Sequence, residues 1–136
     1  MSKSIVRAKD VMEQDYVVID GTLTVAEAMA SIAGTDVHTF IVDKRHEDDE
    51  YGIVQLSDIA KHVLAKNRAP ERVNIYEVMS KPVITVDAEM DVRYSARMFS
   101  QFGIKLAPVM QAGNIIGVLG YTSMVIGAFG KPAETS

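Results

Sequence analysis

The sequence predicts an α+β fold made of two tandem β-α-β-β-α repeats packed through their sheets. Three observations predict it: an ordered internal repeat, capped amphipathic helices within each copy, and short β-rich runs around them. Asp10-Val11-Met12 is echoed by Glu77-Val78-Met79, an offset of 67 positions. At that offset Val17, Ile19 and Asp20 fall on Ile84, Val86 and Asp87, while Val25, Ile32, Val37 and Val42 fall on Val92, Phe99, Ile104 and Val109. The first copy then carries an extra charged stretch, Lys44 to Glu50. The register resumes after it at an offset of 65, with Gly52-Ile53-Val54 on Gly117-Val118-Leu119. Apolar positions hold while surface positions drift, as expected of two copies of one structural unit.

Val17-Val18-Ile19 and Val83-Ile84-Thr85-Val86 read as the opening strands. Thr24-Val25-Ala26-Glu27 is a capping box, since the threonine hydroxyl can accept from the N–H three residues on and the glutamate can reach back. It opens a helix with Val25, Ala28, Met29 and Ile32 at i, i+3, i+4 and i+7, ended by Gly34. In the second copy Asp91 is the N-cap, Val92, Ala96 and Phe99 face inward, and Gly103 stops the helix. Two strands follow in each copy, Val37–Asp43 with Tyr51–Gln55 and Ile104–Met110 with Asn114–Leu119. Ala112-Gly113-Asn114 forms the second hairpin's turn. Ser57 and Thr122 are expected to cap the final helices. The polar, proline-containing stretch Lys66–Arg72 joins the copies, which places the first repeat at 6–66, a linker at 67–73, the second repeat at 74–128 and a disordered tail at 129–136. One layer of strands and one of helices per copy leaves much sheet exposed, and packing the copies through their sheets buries it.

Composition narrows the function. The 136 residues are 48% hydrophobic and 24% charged, so a core can form without disulfides or a structural metal. The absence of cysteine excludes disulfides, thiolate zinc sites and a cysteine nucleophile, and suits a cytoplasmic location. A net charge of −4 gives no general attraction to nucleic acid, although Lys66, Arg68 and Arg72 form a small positive cluster. No apolar run approaches the roughly 20 residues that span a bilayer. His38, His46 and His62 lie on separate elements with no shared spacing, so no acid–base constellation and no catalytic residue can be argued. The run His46–Glu50 offers possible metal ligands, but consecutive residues on a hairpin tip diverge and no second cluster completes a shell; a solvated loop and no metal are expected. The eight methionines and four phenylalanines sit mostly at apolar positions of core or subunit interface.

With these residues in view, residues 6–128 resemble the CBS domain, the cystathionine-β-synthase-type repeat that occurs in tandem as a Bateman module. The resemblance rests on the Val-Met dipeptide opening each copy, Thr22-Leu23-Thr24-Val25-Ala26-Glu27-Ala28, Leu106-Ala107-Pro108-Val109, and Gly52-Ile53-Val54-Gln55-Leu56-Ser57-Asp58. It implies no catalysis and no required cofactor. It implies a cleft between the copies for AMP, ADP, ATP or S-adenosylmethionine, and a homodimer whose geometry an unidentified regulated protein reads. The family's ligand motif runs Gly, two apolar residues, Thr or Ser, two variable residues, then Asp, the aspartate accepting from ribose hydroxyls. Here these positions are Gly52, Gln55 in place of the threonine, and Asp58; in the second copy they are Gly117, Gly120 and Ser123. For Asp58, with Gln55 and Ser57 beside it, the implied partners are Lys81, Val83, Ile84, Lys105 and Pro108. For the other cleft they are Val17, Val18 and His38 with Gly120 and Ser123, and Ile41 replaces the proline. The resemblance therefore points to one competent site and one degenerate site per chain.

Each of these residues also has a plainer reading. Asp58 near the start of a helix stabilises the dipole whether or not it meets ribose. Lys105 is an exposed strand-end lysine or a phosphate contact, and His38 between apolar neighbours is packed or solvent-facing. A ligand-free dimerisation or interaction scaffold is the competing function, motivated by Gln55 and the eroded second motif.

Overall fold

A computed structural model describes residues 5–81 and 83–130. Its elements are α1 (Ala8–Val11), β1 (Tyr16–Ile19), α2 (Val25–Ser31), β2 (Thr39–Val42), β3 (Gly52–Gln55), α3 (Leu56–Ile59), β4 (Val86–Asp87), α4 (Val92–Phe102), β5 (Leu106–Gln111), β6 (Asn114–Gly120) and α5 (Tyr121–Phe129). Helix α3 continues into a π-helical turn, Ala60–Leu64, and two 3-10 turns, Pro70–Arg72 and Ile75–Glu77, precede β4. The β-α-β-β-α order holds in both copies. α5 runs to Phe129, and the rest of the expected tail, 131–136, lies outside the described residues.

Two compact units result, and they do not follow the two copies. One is Asp15–Val83; the other, composite unit joins the described residues of Met1–Gln14 to those of Ile84–Ser136. Each copy's opening segment packs with the other copy's core. In the composite unit, the N–H groups of Ala8 and Lys9 donate to the carbonyls of Met90 and Ala88, and Val92 N–H donates to Val6. Glu13 and Val118 exchange backbone hydrogen bonds at 2.7 and 2.9 Å. In the Asp15–Val83 unit, Val25 N–H donates to Val73, Ile75 N–H to Leu23, and Ser80 and Ile53 exchange bonds at 3.0 Å. The stretch expected as a polar linker thus ends in core: Val73 and Ile75 are buried with Ile19, Val25, Phe40, Val42 and Val54. Arg68 pairs with Glu77 at 3.1 Å, and the Asn74 N–H and then Arg68 hold that carboxyl below its ordinary range.

The exchange explains the repeated Val-Met dipeptide. A Cβ on Gly52 would stand 2.8 Å from Met79 Sδ, and one on Gly117 would stand 2.6 Å from Met12 Sδ. Each methionine lies on the bare backbone of the other copy's hairpin glycine, where any side chain would displace it.

Each unit holds a three-stranded sheet. β1 pairs parallel with β2 over four residues and β2 antiparallel with β3; β4 pairs parallel with β5 over two residues and β5 antiparallel with β6. β2 and the middle of β5 are buried on both faces, so they read as apolar runs rather than alternating patterns. Helix α2 begins with the reciprocal Thr24–Glu27 box, both bonds 3.0 Å. Its buried stripe is Val25, Ala28 and Ile32, but Met29 is 38% exposed, because the covered stripe is narrower than the four-residue pattern suggested. On α4 the Asp91 carboxylate accepts from Arg93 N–H at 2.9 Å, and Gly103 at φ +65° ends the helix. Val92 and Phe99 are buried as expected. Ser95 is fully buried beside them, whereas Ala96 is only half-buried. The β5–β6 turn places both Ala112 (φ 50°) and Gly113 (φ 80°) in the left-handed region.

Candidate functional site

Asp58 owes its position to a strand that enters a helix with no loop. β3 ends at Gln55 and α3 begins at Leu56, so Gln55 is the N-cap, and the exposed Ser57 lies already in the first turn. Ser57 is therefore not the cap expected of it, and Gly120 likewise takes the place of Thr122 before α5. Asp58 Oδ2 accepts from Gln55 N–H at 2.8 Å. Among the described residues Oδ1 receives no hydrogen bond and remains an open acceptor beside the helix start.

The remaining expected partners divide between the units. In the Asp15–Val83 unit, Val83 is half-buried and its N–H donates to Tyr51. Lys81 is turned to the β2–β3 loop, where its Nζ lies 2.7 Å from Asp49 Oδ1. In the composite unit, Ile84 precedes β4, the exposed Lys105 precedes β5, and Pro108 is buried within β5 opposite Val118. Of the residues expected at the degenerate cleft, Val17 and Val18 lie on β1, paired with Phe40 and Ile41, and Val18 is 48% exposed. His38 is exposed, its Nδ1 3.3 Å from Thr39 Oγ1. Gly120 caps α5, and Ser123 is buried with its hydroxyl donating to Glu13 Oε1 at 3.0 Å. The position that carries an open carboxylate in the first copy is a satisfied interior hydroxyl in the second.

Pro108 alters the sheet directly. In the first copy the parallel ladder includes Val18↔Ile41; the equivalent second-copy pair would be Thr85↔Pro108. A proline nitrogen has no hydrogen to give, so the bond that would reach the Ile84 carbonyl cannot form and the ladder starts at Val86↔Val109. The backbone at Ile84 and Thr85 stays outside the sheet, while that of Val17 and Val18 is consumed by it.

A cleft within the Asp15–Val83 unit was not expected from the sequence. A cleft of ≈ 420 Å³ is lined by Asp20, Gly21, Thr22, Val42, Asp43, Arg45, Asp49, Tyr76, Met79 and Lys81, and includes none of Gln55, Ser57 and Asp58. Asp49 is not a solvated loop residue. Its side chain is 8% exposed; Oδ1 meets Lys81, and Oδ2 accepts from Arg45 N–H at 2.9 Å and from Arg45 Nε at 3.3 Å. The Lys81 ammonium first, then the Arg45 N–H, hold its carboxyl well below the usual carboxylate range. Thr22 donates its N–H and hydroxyl to Asp20 Oδ1, both at 2.8 Å, and these bonds lower that carboxyl too. The signal that would have found this cluster is the aspartate at the end of β1 and again after β2. A sequence dense in loop charges hides which of them turn inward.

Comparison with known proteins gives a consistent result. The family model described as the CBS domain matches residues 8–65 and again 75–125. The chain is similar to the hexameric CBS-CP12 protein from bloom-forming cyanobacteria, with 35% identity and a TM-score of 0.85 over 92% of this chain and 72% of that one. It is also similar in fold to a CBS domain pair in complex with 5′-methylthioadenosine and S-adenosyl-L-methionine (23% identity, TM-score 0.72, 89% of this chain and 94% of that one). A CBS domain protein from Pyrobaculum aerophilum complexed with AMP is a further neighbour (19%, TM-score 0.72, 87% and 89%). An uncharacterized protein of Methanopyrus kandleri is 29% identical over 80 residues, which are 58% of this chain and 41% of that protein.

Proposed function

The chain belongs to the CBS domain family, and we propose that it is a regulatory module that binds an adenosine-containing small molecule, catalyses no reaction and acts through the geometry of a homodimer. The observation that carries this reading is the open Oδ1 of Asp58, an acceptor-only group suited to ribose hydroxyls. Three groups of the composite unit support it: the backbone freed at Ile84 by Pro108, the exposed Lys105 available to phosphate, and the filled Ser123 position that leaves one site per chain. AMP and S-adenosylmethionine, carried by neighbours of this fold, are the first ligands to test. A ligand acts here by differing in affinity for two dimer geometries. A cytoplasmic location belongs to the same reading, motivated by the lack of cysteine.

The homodimer is supported by apolar side chains left in solvent on the helices of the composite unit. Tyr94 and Phe102 on α4 and Val125 and Phe129 on α5 are each more than half exposed. The same surface favours a second reading, a ligand-free interaction scaffold. Thermal shift with AMP, ADP, ATP, S-adenosylmethionine, NADH and cyclic dinucleotides separates the two. The ligand reading predicts a raised melting temperature with at least one adenosyl compound, abolished by Asp58→Ala; no response to any of them leaves the scaffold.

A further inference from the structure

The cleft beside Asp49 is built differently from an adenosyl site. It opens where the parallel strands β1 and β2 end, at Ile19 and Val42, and ligands favour the carboxyl ends of parallel strands because the diverging loops leave a crevice there. Val42, Met79, Gly21 and the ring of Tyr76 provide an apolar floor and wall. The lining charges are unequal: Asp20, Asp43 and Asp49 against Arg45 and Lys81, one negative charge in excess. Their pairing decides what that excess means. Lys81 and Arg45 both converge on the near-buried Asp49, so the cleft's cations are already engaged. Asp20 and Asp43 have no cationic partner among the described residues; each commits Oδ1 to a nearby N–H, of Thr22 and of Lys44.

We propose that this cleft binds a small organic monocation, an amine carrying an apolar or aromatic body. The ammonium meets Asp20 and Asp43, and the body lies against Val42, Met79 and Tyr76. A phosphate or carboxylate ligand would have to displace Asp49 from Lys81 and would meet two unpaired carboxylates. A hard metal ion would find an apolar floor instead of a full oxygen shell, and among the described residues no group of three metal-ligating side chains assembles. The volume, ≈ 420 Å³, is within the range of small-molecule sites. The cleft shares Lys81 with the residues the adenosyl reading implies, but its lining excludes Asp58, and Asp20 and Asp43 belong to this cleft alone.

The test is calorimetric titration of the whole chain at neutral pH with phenethylamine, its uncharged analogue 2-phenylethanol, and inorganic phosphate. The double variant Asp20→Asn/Asp43→Asn keeps the acceptor oxygens that hold the two turns and removes only their charge, so an unchanged circular-dichroism melt shows that it is folded. Phenethylamine binding at millimolar or lower concentration is expected, weakened about ten-fold or more in the double variant and at least several-fold in Tyr76→Ala. The proposal is overturned if the folded protein does not bind phenethylamine, if the double variant binds it unchanged, or if the alcohol or phosphate binds as well as the amine.

Discussion

The first copy pairs its parallel strands over four residues and the second over two, and one side chain accounts for the difference. Ile41 gives its N–H to the ladder; Pro108 at the equivalent place has none. The copy with the shorter ladder keeps backbone free at Ile84 and Thr85. The copy with the longer one carries the open carboxylate of Asp58, whose counterpart, Ser123, is bound internally to Glu13. Divergence between the copies has therefore left an open carboxylate oxygen on the first and backbone outside the sheet on the second. The hairpins differ as well. The second turns in two residues at positive φ, whereas the first spends its extra length on the Asp49 cluster.

The largest expected effect breaks the comparison at its shared contact. At Gly117 a methyl would meet Met12 Cγ and Cβ at 2.7 and 3.0 Å as well as Sδ, whereas at Gly52 it meets chiefly the flexible Met79 Sδ. Gly117→Ala is expected to cost about 2–3 kcal/mol and Gly52→Ala about 1 kcal/mol, read from urea denaturation. Equal costs would show that both methionines yield equally. Next, Ile41→Pro should carry the second copy's break into the first, destabilising by about 2 kcal/mol and raising amide exchange along β1. If β1 keeps its protection, the proline is not what limits β4.

The Asp49 cluster, absent from the second copy's tight turn, has a pH signature. Its folded carboxyl titrates below the unfolded value, so the stabilisation is complete above about pH 4 and is lost as pH falls through the folded value. Wild-type protein should lose more stability than Asp49→Asn between neutral pH and pH 3, measured as the shift in urea midpoint. Parallel losses would remove the cluster from the account. The smallest effect is expected at the tight turn. Ala112→Gly relieves a left-handed alanine and should stabilise by about 0.5 kcal/mol, after the entropy that glycine adds to the unfolded chain.

Much of this fold was legible as pattern. Thr24, Asp91 and Gly103 announced helix ends because capping is local chemistry, and the apolar register located the strands except β4, which holds only Val86 of the expected run Val83–Val86. The exchange of opening segments was not legible: aligning Val11 with Val78 shows that the copies are alike, not which core each segment enters. Ser57 and Thr122 misled as caps because a cap signal presumes a loop before the helix, and here β3 and β6 run straight into α3 and α5. Asp49 was hidden among neighbours of like character, and only the fold shows that Lys81 reaches it. At the candidate site, Asp58 and Pro108 stood out as motif positions. That Pro108 acts by withholding a hydrogen bond required the strand register.

The central claim is one adenosyl site per chain that depends on Asp58 and not on Ser123. Calorimetric titration of AMP into wild type, Asp58→Ala and Ser123→Ala tests it directly. The account predicts one site per chain, affinity reduced about ten-fold or more by Asp58→Ala, and an unchanged isotherm for folded Ser123→Ala. Two equivalent sites, or an isotherm indifferent to Asp58 and sensitive to Ser123, would contradict it.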